Sequence, residues 1–71
     1  MNKNIFKSVR LYLGMSQREF ADFLQIGQSS VSKIEAGQRG VSDVIRAKIA
    51  RQFEVTDEFQ DFVERNRKLR S

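Results

Sequence analysis

Between Met15 and Gly37 the chain carries two helix-start signals so close together that each helix has room for only two or three turns. In the first, the Ser16 hydroxyl can accept from the Glu19 backbone N–H while the Glu19 carboxylate reaches back to the Ser16 N–H. That reciprocal pairing is a capping box, and Met15 with Phe20 supplies the hydrophobic staple beside it. Phe20, Phe23 and Leu24 mark the buried face, and the pattern stops at Gln25-Ile26-Gly27. Gly27 is the next N-cap, with Ile26 and Val31 as a second staple. Val31 and Ile34 face inward over a helix spanning 28–36, and Gly37 ends it. Two such short helices joined by three or four residues cannot lie antiparallel. They cross steeply, as in a helix-turn-helix.

Helical spacing runs through the rest of the chain. Ile5, Phe6, Val9 and Leu13 predict a first helix, capped by Asn2 or Asn4 and stopped at Gly14. Ser42 caps a fourth helix, with Asp43 in its first turn and Ile45, Ile49 and Phe53 inward. Thr56 caps a fifth, with Asp57 and Glu58 at its positive end and Phe59, Phe62 and Val63 as its apolar stripe. That stripe either completes the core or faces a second copy. The expected fold is all-α, a compact bundle of five short helices around the pair formed by helices 2 and 3. Residues 1–64 form one domain, and residues 65–71 form a basic, flexible tail.

Composition removes most catalytic chemistry. The 71 residues contain no Cys and no His. Disulfides, thiolate or imidazole metal ligands, cysteine nucleophiles and the histidine general base are therefore excluded. The carboxylates fall on caps and solvated faces with no convergent pair. We expect no enzyme, no metal, no cofactor and no small-molecule ligand. No apolar run approaches the roughly 18 residues of a membrane span, and no secretory apolar region opens the chain. The expected location is cytoplasmic. Thirteen basic against nine acidic residues give a net charge of +4. Residues 1–53 carry nine bases and four acids, residues 54–64 five acids and no base, and residues 65–71 four bases and no acid. A basic body favours polyanions.

The outward face of the third helix decides what such a pair does. Ser29, Ser32, Lys33 and Ala36 share one stripe at i, i+3, i+4 and i+7, with Gln28 at its exposed N-terminal end. The stripe is small, polar and rich in hydrogen-bonding groups. Gln matches adenine N6 and N7, Lys matches guanine O6 and N7, and Ser matches several base edges in a major groove. An ordinary solvated face has the same polarity.

The segment Ser16-Gln17-Arg18-Glu19-Phe20-Ala21-Asp22-Phe23-Leu24 through Ser29-Ser30-Val31-Ser32-Lys33-Ile34-Glu35-Ala36-Gly37 resembles the helix-turn-helix of the Cro/C1-type repressors, which include the lambdoid phage repressors and Cro proteins. Arg10 with Gly14, and Ile49-Ala50 to Phe53-Glu54-Val55-Thr56, extend the likeness over roughly residues 5–63. The resemblance implies a lambda-repressor-like fold and a transcriptional regulator. Such a protein binds double-stranded operator DNA as a homodimer, with the third helix in the major groove. It implies base reading by Gln28, Ser29, Ser32 and Lys33. It places Gln17, at a helix N-terminus with free N–H groups, on a phosphate. Gln38, Arg39 and Ser42 match the positions that grip a second stretch of backbone. Arg18 and Lys7 are further phosphate candidates. Arg10 and Glu35 lie on the inward sides of helices 1 and 3, where rim charges need partners. The resemblance pairs them with each other, as a structural ion pair.

One position departs from the family pattern. Gln25 stands where a Gly is usual, so either it adopts a left-handed conformation or the turn is built differently. Two other functions fit the chain. It could be the antitoxin of a toxin–antitoxin pair, docking a basic toxin on the acidic 54–64 segment. It could also be a helical adaptor that binds only protein.

Overall fold

A computed structural model describes the backbone of residues 1–70 and the side chains of residues 1–66. Five helices follow in order: α1 (Lys3–Tyr12), α2 (Gln17–Leu24), α3 (Gln28–Glu35), α4 (Asp43–Gln52) and α5 (Asp57–Arg70). No strand occurs among the described residues. The expected boundary at residue 64 falls within α5. Of the seven residues read as a flexible tail, 65–70 continue the backbone of α5, while Ser71 and the side chains of 67–70 lie outside the described residues.

The helix starts follow from local side chains. Asn2, rather than Asn4, caps α1 by accepting from the Ile5 N–H at 2.9 Å. Both bonds of the Ser16–Glu19 capping box form, at 2.9 and 3.1 Å. The Ser16 backbone N–H, donating to the carboxylate, and after it the adjacent Ser16 hydroxyl hold the Glu19 carboxyl below the usual glutamate range, against a small opposing push from burial. Ser42 caps α4 through the Ile45 N–H, and Thr56 caps α5 through the Phe59 N–H.

The first three helices end in the same way. Residues Gly14, Gln25 and Gly37 all have positive φ. At each, its own N–H and that of the following residue turn back onto the last carbonyls: Gly14 to Leu11 and Met15 to Arg10, Gln25 to Asp22 and Ile26 to Ala21, Gly37 to Ile34 and Gln38 to Lys33. This is a Schellman closure repeated three times. Gln25 therefore takes the left-handed alternative, at φ 57° and ψ 47°, a conformation that costs a non-glycine residue about 1 kcal/mol. Side chains of α4 support it. Lys48 Nζ donates to the Gln25 carbonyl at 3.2 Å and Gln52 Nε2 to the Phe23 carbonyl at 2.7 Å.

The core is formed by Phe6, Val9, Phe20, Ala21, Leu24, Val31, Ile34, Ile45, Ile49 and Phe59. Each helix contributes, and α2 packs most extensively on α3. Phe59 is buried, which assigns it to the core, while Phe62 and Val63 are half-buried. Phe53 lies just past the end of α4 in extended conformation. It packs edge-on against Phe59, with ring centroids 4.9 Å apart.

Candidate nucleic-acid interface

Burial of Val31 and Ile34 fixes which way α3 faces, since both are fully excluded from solvent. Gln28, Ser29, Ser32, Lys33 and Ala36 are then all exposed, and they form one continuous polar face as the spacing predicts. None of the four polar residues is tied to another part of the protein among the described residues, so their donors and acceptors are available to a ligand. Lys33 sits in the last turn of α3, where a cation is favoured by the helix dipole.

The orientation of α3 is held by a polar junction of three helices. Arg10 of α1 makes a two-pronged contact with Glu35 of α3, Nε to Oε2 at 2.7 Å and Nη2 to Oε1 at 2.9 Å. A third guanidinium nitrogen, Nη1, donates to the Met15 carbonyl at 3.0 Å. Gln17 of α2 donates from Nε2 to Glu35 Oε1 at 3.2 Å. The side chains of Arg10 and Glu35 are only 12% and 6% exposed, so this is a nearly dry pair in which every guanidinium nitrogen makes a hydrogen bond. Burial pushes the Glu35 carboxyl upward. The hydrogen bonds from Arg10 and Gln17 and the charges of Arg10 and Lys7 outweigh it, holding the carboxyl below the usual glutamate range.

Gln17 stands at the first position of α2, and its side-chain amide is committed to Glu35 through one of its two hydrogens. Its backbone N–H is one of the unpaired donors of a helix N-terminus. Arg18 beside it is exposed. Beyond α3, Gln38 and Arg39 are exposed in the loop, and Arg39 Nη1 reaches back to Ser30 Oγ at 3.3 Å. Ser42 is half-buried, and its hydroxyl oxygen serves the α4 cap. Its neighbour Asp43, almost fully exposed, pairs with the half-exposed Arg46 at 2.8 Å. The sequence-predicted residues thus fall at three places: the outer face of α3, the N-terminus of α2, and the loop from Gln38 to Ser42.

A family model described as helix-turn-helix matches residues 6–60, from α1 into α5. The chain belongs to the Cro/C1-type helix-turn-helix family. No match was found among curated proteins or among solved structures. As a member of this family the protein is a DNA-binding helix-turn-helix domain. Among its described residues no helix is long and apolar enough to cross a membrane.

Several contacts of this Cro/C1-type domain were not legible as such. Ser30 is half-buried beside the polar face and receives Arg39, although neither residue points to the other by spacing. Lys48 and Gln52 close the end of α2 across more than twenty residues. Lys3, on the first turn of α1, lies against Gly37 at the far end of α3. The helical stripe Lys3, Lys7, Arg10 could have signalled the last of these.

Proposed function

We propose that this protein is a transcriptional repressor that binds operator DNA as a homodimer and reads base edges with α3. The observation that carries the reading is the exposed face of α3, on which Gln28, Ser29, Ser32 and Lys33 stand unencumbered by internal contacts. A helix with that face fits a B-DNA major groove about 12 Å wide, and its side chains match base edges there. Gln17, Arg18, Gln38, Arg39 and Ser42 flank it as phosphate contacts, with residues 1–64 as the DNA-binding body. The described protein spans 30 × 24 × 20 Å. A two-fold pair reading adjacent half-sites sets its α3 helices about 34 Å apart, one DNA turn. The half-exposed aromatic surface of Tyr12, Phe53 and Phe62, beside the exposed Val55, is the apolar face available for that pairing.

Selection of bound sequences from random duplex DNA tests the whole reading. The expected product is a two-fold symmetric consensus whose half-sites lie one helical turn apart. On that site Lys33→Ala and Gln28→Ala each cost about 1–3 kcal/mol of binding, with much smaller losses on random duplex and unchanged thermal stability. Equal losses on both duplexes would move these residues from base reading to the backbone. Failure to enrich any sequence would remove specific recognition altogether.

A further inference from the structure

Three cations share one stripe of α1, since Lys3, Lys7 and Arg10 are spaced i, i+4 and i+7. The stripe runs along the C-terminal half of α3, and its members meet different surroundings. Arg10 is spent on Glu35 and the Met15 carbonyl. Lys7 is half-buried, and its charge acts on the Glu35 carboxylate. Lys3 is exposed and has no ion-pair partner among the described residues.

Lys3 nevertheless has a defined place. Its stem crosses the turn that closes α3. A Cβ added to Gly37 would stand 3.3 Å from Lys3 Nζ, 3.5 Å from Cδ and 3.9 Å from Cε. Gly37 has φ +79°, so the same residue that permits the Schellman turn also leaves room for the lysine. The carbonyls of Ser32, Lys33 and Ile34 are already taken by the N–H groups of Ala36, Gln38 and Gly37. Lys3 makes no hydrogen bond to them. A cation lying over the turn that closes α3, without an internal acceptor, and beside the loop that carries Gln38 and Arg39 is suited to an external anion.

We propose that Lys3 is a contact to the DNA phosphodiester backbone, extending the interface from the helix-turn-helix pair and its loop to the N-terminal turn of α1. This rests on the DNA-binding reading above. Lys3 adds affinity without base discrimination, because a phosphate oxygen is the same at every base pair.

The test compares Lys3→Gln, which keeps a stem but removes the charge, with Lys3→Arg, which keeps the charge. Binding to the selected duplex and to a mixed-sequence duplex is measured across a salt titration. For Lys3→Gln the expected result is a salt slope shallower by about one unit, since one fewer counterion is released. Affinity falls by the same factor on both duplexes, Lys3→Arg restores it, and the melting temperature is unchanged. An unaltered slope with a lowered melting temperature would make Lys3 a partner of the α3 dipole and overturn the proposal. A loss confined to the selected duplex would also overturn it. Salt-dependent binding by the unaltered protein that Lys3→Gln leaves intact sinks only the role of Lys3. Absence of any binding by the unaltered protein at low salt sinks the DNA-binding reading itself.

Discussion

Where α1, α2 and α3 meet, the contacts are directional: a two-pronged Arg10–Glu35 pair, a Gln17 amide and a backbone carbonyl, all between 2.7 and 3.2 Å. Where α1 meets α5 and the end of α4, they are aromatic edges. Tyr12 lies 5.3 to 6.0 Å from the rings of Phe53, Phe59 and Phe62, at steep interplanar angles. Both regions join α1 to other helices, but they constrain different things. Hydrogen bonds of fixed length and angle set the rotation and height of α3, on which any base contact depends. Aromatic edges tolerate small shifts and supply buried area and stability. The positions proposed to touch DNA surround the first region, and the acidic face of α5 adjoins the second.

Phe59→Ala and Arg10→Ala break the two regions separately. Phe59 is 2% exposed, so its truncation is expected to cost about 3–5 kcal/mol in urea unfolding. Arg10→Ala strands a nearly buried carboxylate and is expected to cost a similar 3–5 kcal/mol, roughly. The two variants then diverge. Measured on a single half-site, where pairing of two copies plays no part, and with both variants folded, Phe59→Ala binds DNA with little change, whereas Arg10→Ala binds weakly because Gln17 and α3 lose their common anchor. Replacing Arg10 by Met together with Glu35 by Leu should recover much of the stability but not the affinity. Additive losses in that double-mutant cycle would mean the pair does not act as a unit.

Acid titration sharpens the same contrast with a smaller effect. The Glu35 carboxyl is held below its ordinary value of 4.5 in the folded protein. Its stabilising contribution is therefore complete above that value and is lost as pH falls through the folded value. Unfolding free energy should decline below pH 4.5 in the unaltered protein. The decline should be reduced in the apolar double variant, where only Glu19 and weaker groups remain. Identical acid profiles would show that Glu35 does not carry this dependence.

The smallest expected effect concerns the turn between α2 and α3. Gln25→Gly relieves a left-handed backbone, and it is expected to stabilise the fold by about 0.5–1 kcal/mol with unchanged DNA preference. A loss of stability would show that the extra backbone freedom of glycine in the unfolded chain outweighs the relief of strain.

Most helix limits were legible because they are settled within a few residues. Ser16 and Glu19, Ser42 and Ile45, and Thr56 and Phe59 meet within a single turn, so their spacing along the chain is their spacing in space. The polar face of α3 was legible for the same reason, since one helical period orders Val31 and Ile34 against Ser29, Ser32 and Lys33. The conformation of Gln25 was not legible. Two backbone solutions were open to it, and α4 side chains from residues 48 and 52 help hold the observed one. The burial of Phe59 against a half-exposed Phe62 was likewise undecided, because both belong to one apolar stripe until Tyr12 and Phe53 cover one more than the other. By itself the sequence determined the helices, their caps and the chemistry of the outward face of α3. Tertiary structure alone decided that Gln17 joins the Arg10–Glu35 pair and that Lys3 reaches Gly37. Partners so far apart in the chain are brought together only when burial of the apolar core packs the helices onto one another.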